Sequence, residues 1–291
     1  MAKRLATQQH YQEKLNHVLL YIQEHLDESL EVEELARVAA FSPYHFHRMF
    51  SAMVGESLHQ YIRRERLERA AGALQKASNS ITQVALEAGF QTPSAFAKAF
   101  KQHFGQTPSQ FRTQQWERYQ AQRSSFEETY QGEFEDIEIR RQDLPTRQVW
   151  FIRKMGTYAQ IIPEAWKTMG EFLQQQPPVE AQHRLGIYHD NPNISEPNRC
   201  GYDACIWREG ELLPQGEIGV QTLPGGLFAI FSHVGSYRSL GRLYWWIFAH
   251  WLQKQSFSLR DAVQFERYLD PNPLSVHPDQ LRTEIYLPIR S

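Results

Sequence analysis

Cysteine occurs only twice in this chain, at Cys200 and Cys205, too few for a disulfide framework or for a metal site built from thiolates alone. No apolar run approaches the roughly 20 residues a bilayer-spanning helix needs. The opening MAKRLATQQHYQ lacks the apolar centre of a secretion signal. Net charge is close to zero, at −2, so the whole-molecule field selects no partner. Phosphate-cradling GxxxxGK, zinc-binding HExxH and the nucleophile elbow GxSxG are all missing. These absences argue against a disulfide-stapled secreted domain and a membrane partner. They lead us to expect a cytoplasmic protein with no catalytic residue, cofactor or metal.

What is present is enough for two cores. The chain has 291 residues, of which 41% are hydrophobic and 13% aromatic. Charge is unevenly distributed: from Arg37 to Arg112 there are 10 basic and 4 acidic side chains, a moderate bias compatible with nucleic acid.

That basic region repeats itself. LEVEELARVAAFSPYHFHRMFSAMVGESLHQYIR and SITQVALEAGFQTPSAFAKAFKQHFGQTPSQFR follow one plan, with Ala36 matching Ala85, Phe46 matching Phe96 and Phe50 matching Phe100. Each copy reads as a helix, a tight turn and a second helix opened by Ser42-Pro43 or Thr92-Pro93, an N-cap followed by proline at the first helical position. This is the grammar of a helix-turn-helix, although a structural helical hairpin would share part of it.

In the first copy Phe46, Met49, Phe50 and Met53 have core spacing. Tyr44, His47, Arg48 and Ser51 form the outward set, placed to meet a major groove. Arg48 can grip guanine O6 and N7, a contact worth about 1–3 kcal/mol of discrimination. The second copy turns Ser94, Ala97, Lys98 and Lys101 outward and is better suited to gripping phosphate than to reading bases. The intervening ESLHQYIRRERLERAAGALQKA reads as one helix of roughly 30 Å, near the 34–36 Å between half-sites one DNA turn apart. Its Arg63, Arg64, Arg66 and Arg69 are either phosphate contacts or a solvated face. His45-Phe-His47 is better explained by this surface than by a metal.

SPYHFHRMF, the linking helix and ALEAGFQTPSAFAKAFKQHFGQTPSQFR resemble the DNA-binding domain of AraC/XylS-type transcriptional regulators. The resemblance implies double-stranded DNA as partner and Tyr44, His47, Arg48, Ser94 and Lys98 as readers.

A second duplication follows. VWFIRKMGTYAQIIPEAWKTMGEFLQQQ matches LFAIFSHVGSYRSLGRLYWWIFAHWLQKQ about 80 positions later, pairing Gly156 with Gly235, Tyr158 with Tyr237, Trp166 with Trp245 and Tyr188 with Tyr268. Two such halves predict a pseudo-twofold α+β domain, with helices on one face of an antiparallel sheet and a concave cleft on the other. In the final strand LRTEIYLPIR, alternation puts Thr283, Ile285 and Leu287 toward the helices and Glu284 and Tyr286 toward the cleft. Matching DACIW to TEIYL sets Ala204 against Glu284, which makes Glu284 an unmatched acid needing a partner. Arg282 is the candidate partner, and an ordinary surface ion pair is the alternative.

Gly235-Ser-Tyr237, Phe265-Glu-Arg-Tyr268 and Leu281-Arg-Thr-Glu284-Ile-Tyr286-Leu-Pro288-Ile resemble the GyrI-like effector-binding domain. The resemblance implies a lipophilic, often cationic small molecule meeting Glu284. Tyr286, Tyr188 and Trp150 are its expected companions.

The expected fold is therefore two domains: an all-α tandem helix-turn-helix over 8–113, a polar linker over 114–133, and a duplicated α+β GyrI-like domain over 134–291. The expected function is a ligand-responsive, sequence-specific transcription regulator. A hydrolase or scavenger activity of the second domain, or inhibition of gyrase, are the alternatives. LYWWIFAHWL has more apolar residues than one helix face needs, and its surplus is a candidate surface for RNA polymerase or a second chain.

Overall fold

The computed structural model describes residues 2–290 apart from 76–78, 131, 135, 178–181, 193 and 261, and apart from the side chains of 2–10, 127 and 128. Contacts divide it into two compact units, broadly the chain before and after Ser125. No helix among the described residues is long and apolar enough to cross a membrane.

The first unit is helical: α1 (Ala2–Glu24), α2 (Val32–Val38), α3 (Pro43–Val54), α4 (Leu58–Leu74), α5 (Ile81–Glu87), α6 (Pro93–Phe104) and α7 (Pro108–Tyr130). The caps read from the sequence form. Ser42 Oγ accepts from the His45 backbone N–H at 3.4 Å, and Thr92 Oγ1 from that of Ala95 at 3.2 Å. Ser57 and Gln60 complete a reciprocal capping box that starts α4.

Two cores result, and α4 serves both. Leu58, Tyr61 and Ile62 pack with Leu19, Ile22, Phe46 and Phe50, whereas Leu67, Ala71 and Leu74 pack with Val84, Phe96 and Phe100. α4 has 17 residues, about 26 Å at 1.5 Å per residue. The stretch 114–130 is helical as the continuation of α7, in keeping with its Gln, Arg and Glu content.

The second unit holds β1 (Ile139–Leu144), β2 (Arg147–Met155), α8 (Tyr158–Leu173), β3 (Gln182–Tyr188), β4 (Gly201–Arg208), β5 (Gly219–Leu223), β6 (Gly226–Val234), α9 (Leu240–Trp246), β7 (Ser258–Leu259), β8 (Phe265–Tyr268) and β9 (Arg282–Arg290). The main antiparallel sheet runs β1-β6-β9-β8-β3-β4-β2-β5, with β7 beside β9. β1 and β2 stand first and seventh in that order, yet only Pro145 and Thr146 join them. Pro224 and Gly225 likewise join the outermost strand β5 to β6.

Such short connections force the sheet to curl until its ends meet, and the Gly225 N–H donates to Thr146 Oγ1 at 3.0 Å at that corner. The face away from the helices is therefore the inner face of the curl. Phe151, Ile187, Cys205 and Ile230 on it are buried. α8 covers Trp150, Ile152, Ala204 and Ile206, and α9 covers Ala229, Phe231, Ile285 and Leu287.

After Trp246, α9 passes into a π turn, Ile247–Trp251. The apolar surplus of this segment is covered by Phe126, Tyr130 and Phe134. Phe126 lies 4.3 Å from Trp245 between ring centroids. Core packing thus takes most of this surplus, as expected, and residues 126–134, at the end of the polar-looking stretch and just beyond it, supply aromatic residues that cover it.

The two helix-turn-helix turns differ in one respect. Gly89 has φ +75° in the second, and its counterpart in the first is Ala40, at φ 52°. A Cβ on Gly89 would lie 3.0 Å from the guanidinium carbon of Arg66, which donates to the Leu26 and Glu28 carbonyls. Gly89→Ala should destabilise the chain by about 1–2 kcal/mol. Ala40→Gly should be nearly neutral, because relief of the left-handed backbone is offset by greater freedom in the unfolded chain. Thermal unfolding of both variants checks this.

Candidate functional sites

On α3 the outward stripe is formed largely as its spacing predicts. Tyr44 is 73% exposed, and His47 and Arg48 are exposed beside it. Arg48 Nη1 donates to the Tyr44 hydroxyl at 3.1 Å, so the guanidinium is held before any ligand arrives. Ser51 is different. Its Oγ is buried and has no hydrogen-bond partner among the described residues, so the hydroxyl does not face outward with the others. On α6, Ser94, Lys98 and Lys101 are exposed and Ala97 is half-buried.

The arginines of α4 do not form a row of phosphate donors. Arg64 is buried among Glu56, Glu65 and Glu68, with nitrogen–oxygen distances of 2.9, 2.7 and 3.5 Å. Burial disfavours its cation, but the three acids outweigh burial and raise its pKa. Arg66 secures the end of α1 and the following turn, and Arg63 donates to Gln102 of α6 at 3.0 Å.

In the second unit the four expected ligand residues lie on two faces. Glu284 and Tyr286 line the interior of the curled sheet, whereas Tyr188 and Trp150 face the helices. Trp150 is core: its ring meets Phe172 edge-on at 4.9 Å, and its indole N–H donates to the Leu213 carbonyl.

Glu284 is not short of partners. Arg140 Nη2 donates to its Oε1, Tyr286 donates at 2.7 Å, and Arg267 lies at 3.4 Å. Burial would raise this carboxyl, but the tyrosine hydroxyl and the two guanidinium groups together lower it. Arg282, the expected partner, pairs with Asp270 at 2.8 Å.

Nor is Glu284 unmatched. Gly186 lies opposite Ala204, and Glu266 opposite Ile285. With Tyr188 and Tyr268 as twins, Gly186 corresponds to Glu266, Ala204 to Ile285 and Asp203 to Glu284. The residue-for-residue match of DACIW to TEIYL is one position out, and in a strand one position reverses the face. Asp203 is fully buried and bonded to Arg153 at 2.7 Å and to His189 at 2.9 Å. Burial opposes its charge, and these two partners hold its pKa well below the usual carboxylate range.

The acid without a twin is Glu266. It sits in a row across the helix-facing side: Phe231, Ile285, Glu266, Gly186, Ala204 and Ile152. Tyr268 donates to its Oε2 at 2.8 Å, Tyr188 lies at 3.4 Å, and the Tyr244 hydroxyl of α9 acts on it as well. Tyr202 is 3.3 Å from Tyr268 and accepts from the Trp166 indole at 2.9 Å.

Gly186 makes this cluster possible, since a Cβ there would run into the hydroxyls of Tyr268 and Tyr202. No cationic side chain among the described residues pairs with Glu266. Burial pushes its pKa up to about 7, against the pull of the tyrosine hydroxyls around it, and burial raises Tyr188 and Tyr268 as well. Tyr237, at 37% exposure, stacks edge-on to Tyr268 at the rim. The helix covering the carboxylate turns irregular just beyond Tyr244, as π turns often do near functional positions.

A raised carboxyl binds its proton more tightly folded than unfolded. Its contribution therefore favours folding below pH 4.5 and is lost as pH rises through about 7. Glu266→Gln, which removes the ionisation, should stabilise the chain by roughly 3 kcal/mol at pH 8 and hardly at all near pH 4.5, as read by thermal unfolding at both.

Comparison with known proteins finds a match for each half of the chain. Residues 137–290 match the model of the GyrI-like small molecule binding domain, and residues 35–114 match that of a helix-turn-helix domain. An uncharacterized HTH-type transcriptional regulator, YbfP of Bacillus subtilis, is 36% identical over 104 residues, which are 36% of this chain and 35% of the relative. The right origin-binding protein of Escherichia coli is 36% identical over 95 residues, 33% of each chain. The matches thus span about a third of the length of these curated relatives. Among solved structures, the EcmrR C-terminal domain is 18% identical, covers 54% of this chain and 99% of that one, and has a TM-score of 0.46. With more than half of its residues matched, the chain belongs to the family of the GyrI-like small molecule binding domain, carried here behind a helix-turn-helix domain.

Proposed function

We propose that the chain is a ligand-responsive transcription regulator that binds double-stranded DNA through residues 8–113 and a small lipophilic cation through residues 134–291. The two parts are joined across 114–133. The observation that carries the second half is Glu266: a carboxylate enclosed by tyrosines and, among the described residues, paired with no cationic side chain. Such a group is costly to ionise when buried, and a ligand bringing positive charge and aromatic-compatible surface removes that cost. Glu284 and Asp203 are neutralised by arginines and have no such need, so the effector site is assigned to Glu266, Tyr188, Tyr244 and Tyr268. The site acts by binding and not by turnover.

For the first half, support comes from the exposed Tyr44, His47 and Arg48 on a capped helix and from Ser94, Lys98 and Lys101 on its repeat. The relatives' names, a transcriptional regulator and an origin-binding protein, support the same reading. Ligand alters DNA binding only to the extent that it prefers one conformation over another.

Calorimetric titration with tetraphenylphosphonium tests the effector site. A cation that binds only the ionised carboxylate must expel the proton, so affinity should fall about tenfold from pH 8 to pH 6. Glu266→Gln should bind weakly with no such pH dependence, while Glu284→Gln should keep it. Equal loss in both variants refutes the assignment. For DNA, Arg48→Ala should weaken binding to a selected duplex by about 1–3 kcal/mol and relax sequence preference. An unchanged footprint sinks the recognition-helix reading.

A further inference from the structure

We infer that the effector is amphoteric, its cationic end meeting Glu266 and a carboxylate at its other end meeting Arg184. This rests on the assignment of Glu266 as the site of the cation and names a second contact of that same site. In the pairing of β3 with β8, Gly186 lies opposite Glu266 and Arg184 opposite Tyr268. Residues two apart in a strand share a face, so Arg184 and Glu266 both lie on the helix-facing side, about 7 Å apart along the strands. Rings stand between them. The Arg184 guanidinium carbon is 4.7 Å from the centre of the Trp166 ring, and Trp166 meets Tyr268 edge-on at 5.8 Å. Tyr268 in turn donates to Glu266 at 2.8 Å.

The two charges do not answer each other. Arg184 turns toward the Pro271 carbonyl, to which its Nη1 donates at 2.9 Å, and this bond uses one of the five N–H groups of a guanidinium. No acidic side chain among the described residues pairs with it; burial lowers its pKa, and the phenols of Tyr237 and Tyr202 act in the opposite sense. Arg184 is half-buried and Tyr237 is 37% exposed, so this end of the site is its open rim. A simple cation seated at Glu266 satisfies the carboxylate but meets a like charge at the rim. A ligand with a carboxylate at that end satisfies both groups, because the planar fork of arginine matches a carboxylate. One carboxylate balances one guanidinium, whereas the double charge of a phosphate exceeds it. The rings of Trp166, Tyr237 and Tyr268 suit an aromatic spacer between the two charges.

The test titrates the full chain by calorimetry with benzyltrimethylammonium and with 4-carboxybenzyltrimethylammonium, which differ only by a carboxylate across the ring from the cation. Wild type should bind the carboxylate-bearing ligand about three- to tenfold more tightly, although a chain of net charge −2 favours the simple cation. Arg184→Gln should abolish that preference by weakening the carboxylate-bearing ligand. Arg184→Lys, which keeps the charge and loses the fork, should retain part of it, and thermal unfolding checks that both variants fold. Loss of a merely structural Arg184 would weaken both ligands alike. No preference in wild type, a preference that survives Arg184→Gln, or an equal loss for the two ligands each overturns the inference. Glu266→Gln separates the two failures. If it weakens both ligands while one of those results is seen, only the Arg184 contact is lost from the account. If it weakens neither, or if neither ligand binds wild type, the Glu266 assignment has failed and the inference falls with it.

Discussion

Two connections of two residues each, Pro145-Thr146 and Pro224-Gly225, dictate the geometry of the second unit. Each joins strands that stand far apart in the order of the sheet, and a chain that short can do so only if the sheet curls back on itself. Curling creates an inside and an outside. The inside is lined by buried side chains such as Phe151, Ile187, Cys205 and Ile230, and the outside receives α8 and α9. It also sets the twin strands β3 and β8 side by side at the centre, where Gly186 and Glu266 face each other. The central site is thus a consequence of duplication followed by closure, with one member of the central pair carrying a carboxylate and the other too small to obstruct the tyrosines that reach it.

The buried acids of this unit illustrate how environment decides role. Asp203 and its twin Glu284 are buried on the inner face of the curl, where a bare charge would be expensive. Both are answered by arginine, although from different places: Arg153 is the direct cross-strand neighbour of Asp203, whereas the corresponding neighbour of Glu284 is Ser232. There Arg140 reaches over from the outer strand, bonding Ser232 on the way. Among the described residues, the hydrogen bonds to the Glu266 carboxylate come from phenols. Their hydrogen bonds moderate the penalty of burial without abolishing it, and the carboxyl is left near neutrality, where a modest change in surroundings alters its charge.

The first unit rests on simpler physics. Ser42-Pro43 and Thr92-Pro93 start the second helix of each pair, and an alternation of phenylalanine with polar residues assigns one face to the core. α4 contributes to both cores, so one helix sets the spacing of the two helix-turn-helix pairs within this unit. Its arginines are mostly structural: Arg64 neutralises a nest of glutamates, and Arg66 fastens α1 beside the turn that Gly89 leaves open.

Local rules were legible from the sequence alone. The caps, the two duplications, the inward Ile285 and Leu287 and the outward Tyr44, His47 and Arg48 follow from spacing, because helix and strand periodicities act over a few residues. The register between strands far apart in sequence was not legible. It decided that Ala204 is twinned with Ile285, that Arg282 meets Asp270 and not Glu284, and that Trp150 is core. One signal for Glu266 was present: it stands two residues before Tyr268, as Gly186 stands two before Tyr188. What the residues could not announce was that these strands lie adjacent under the helices, since cross-strand pairing depends on closure of the whole sheet. The sequence by itself determined which elements form and which face of each is apolar; the tertiary structure alone decided which acids acquire an arginine, because an ion pair needs two distant strands to arrive at the same place.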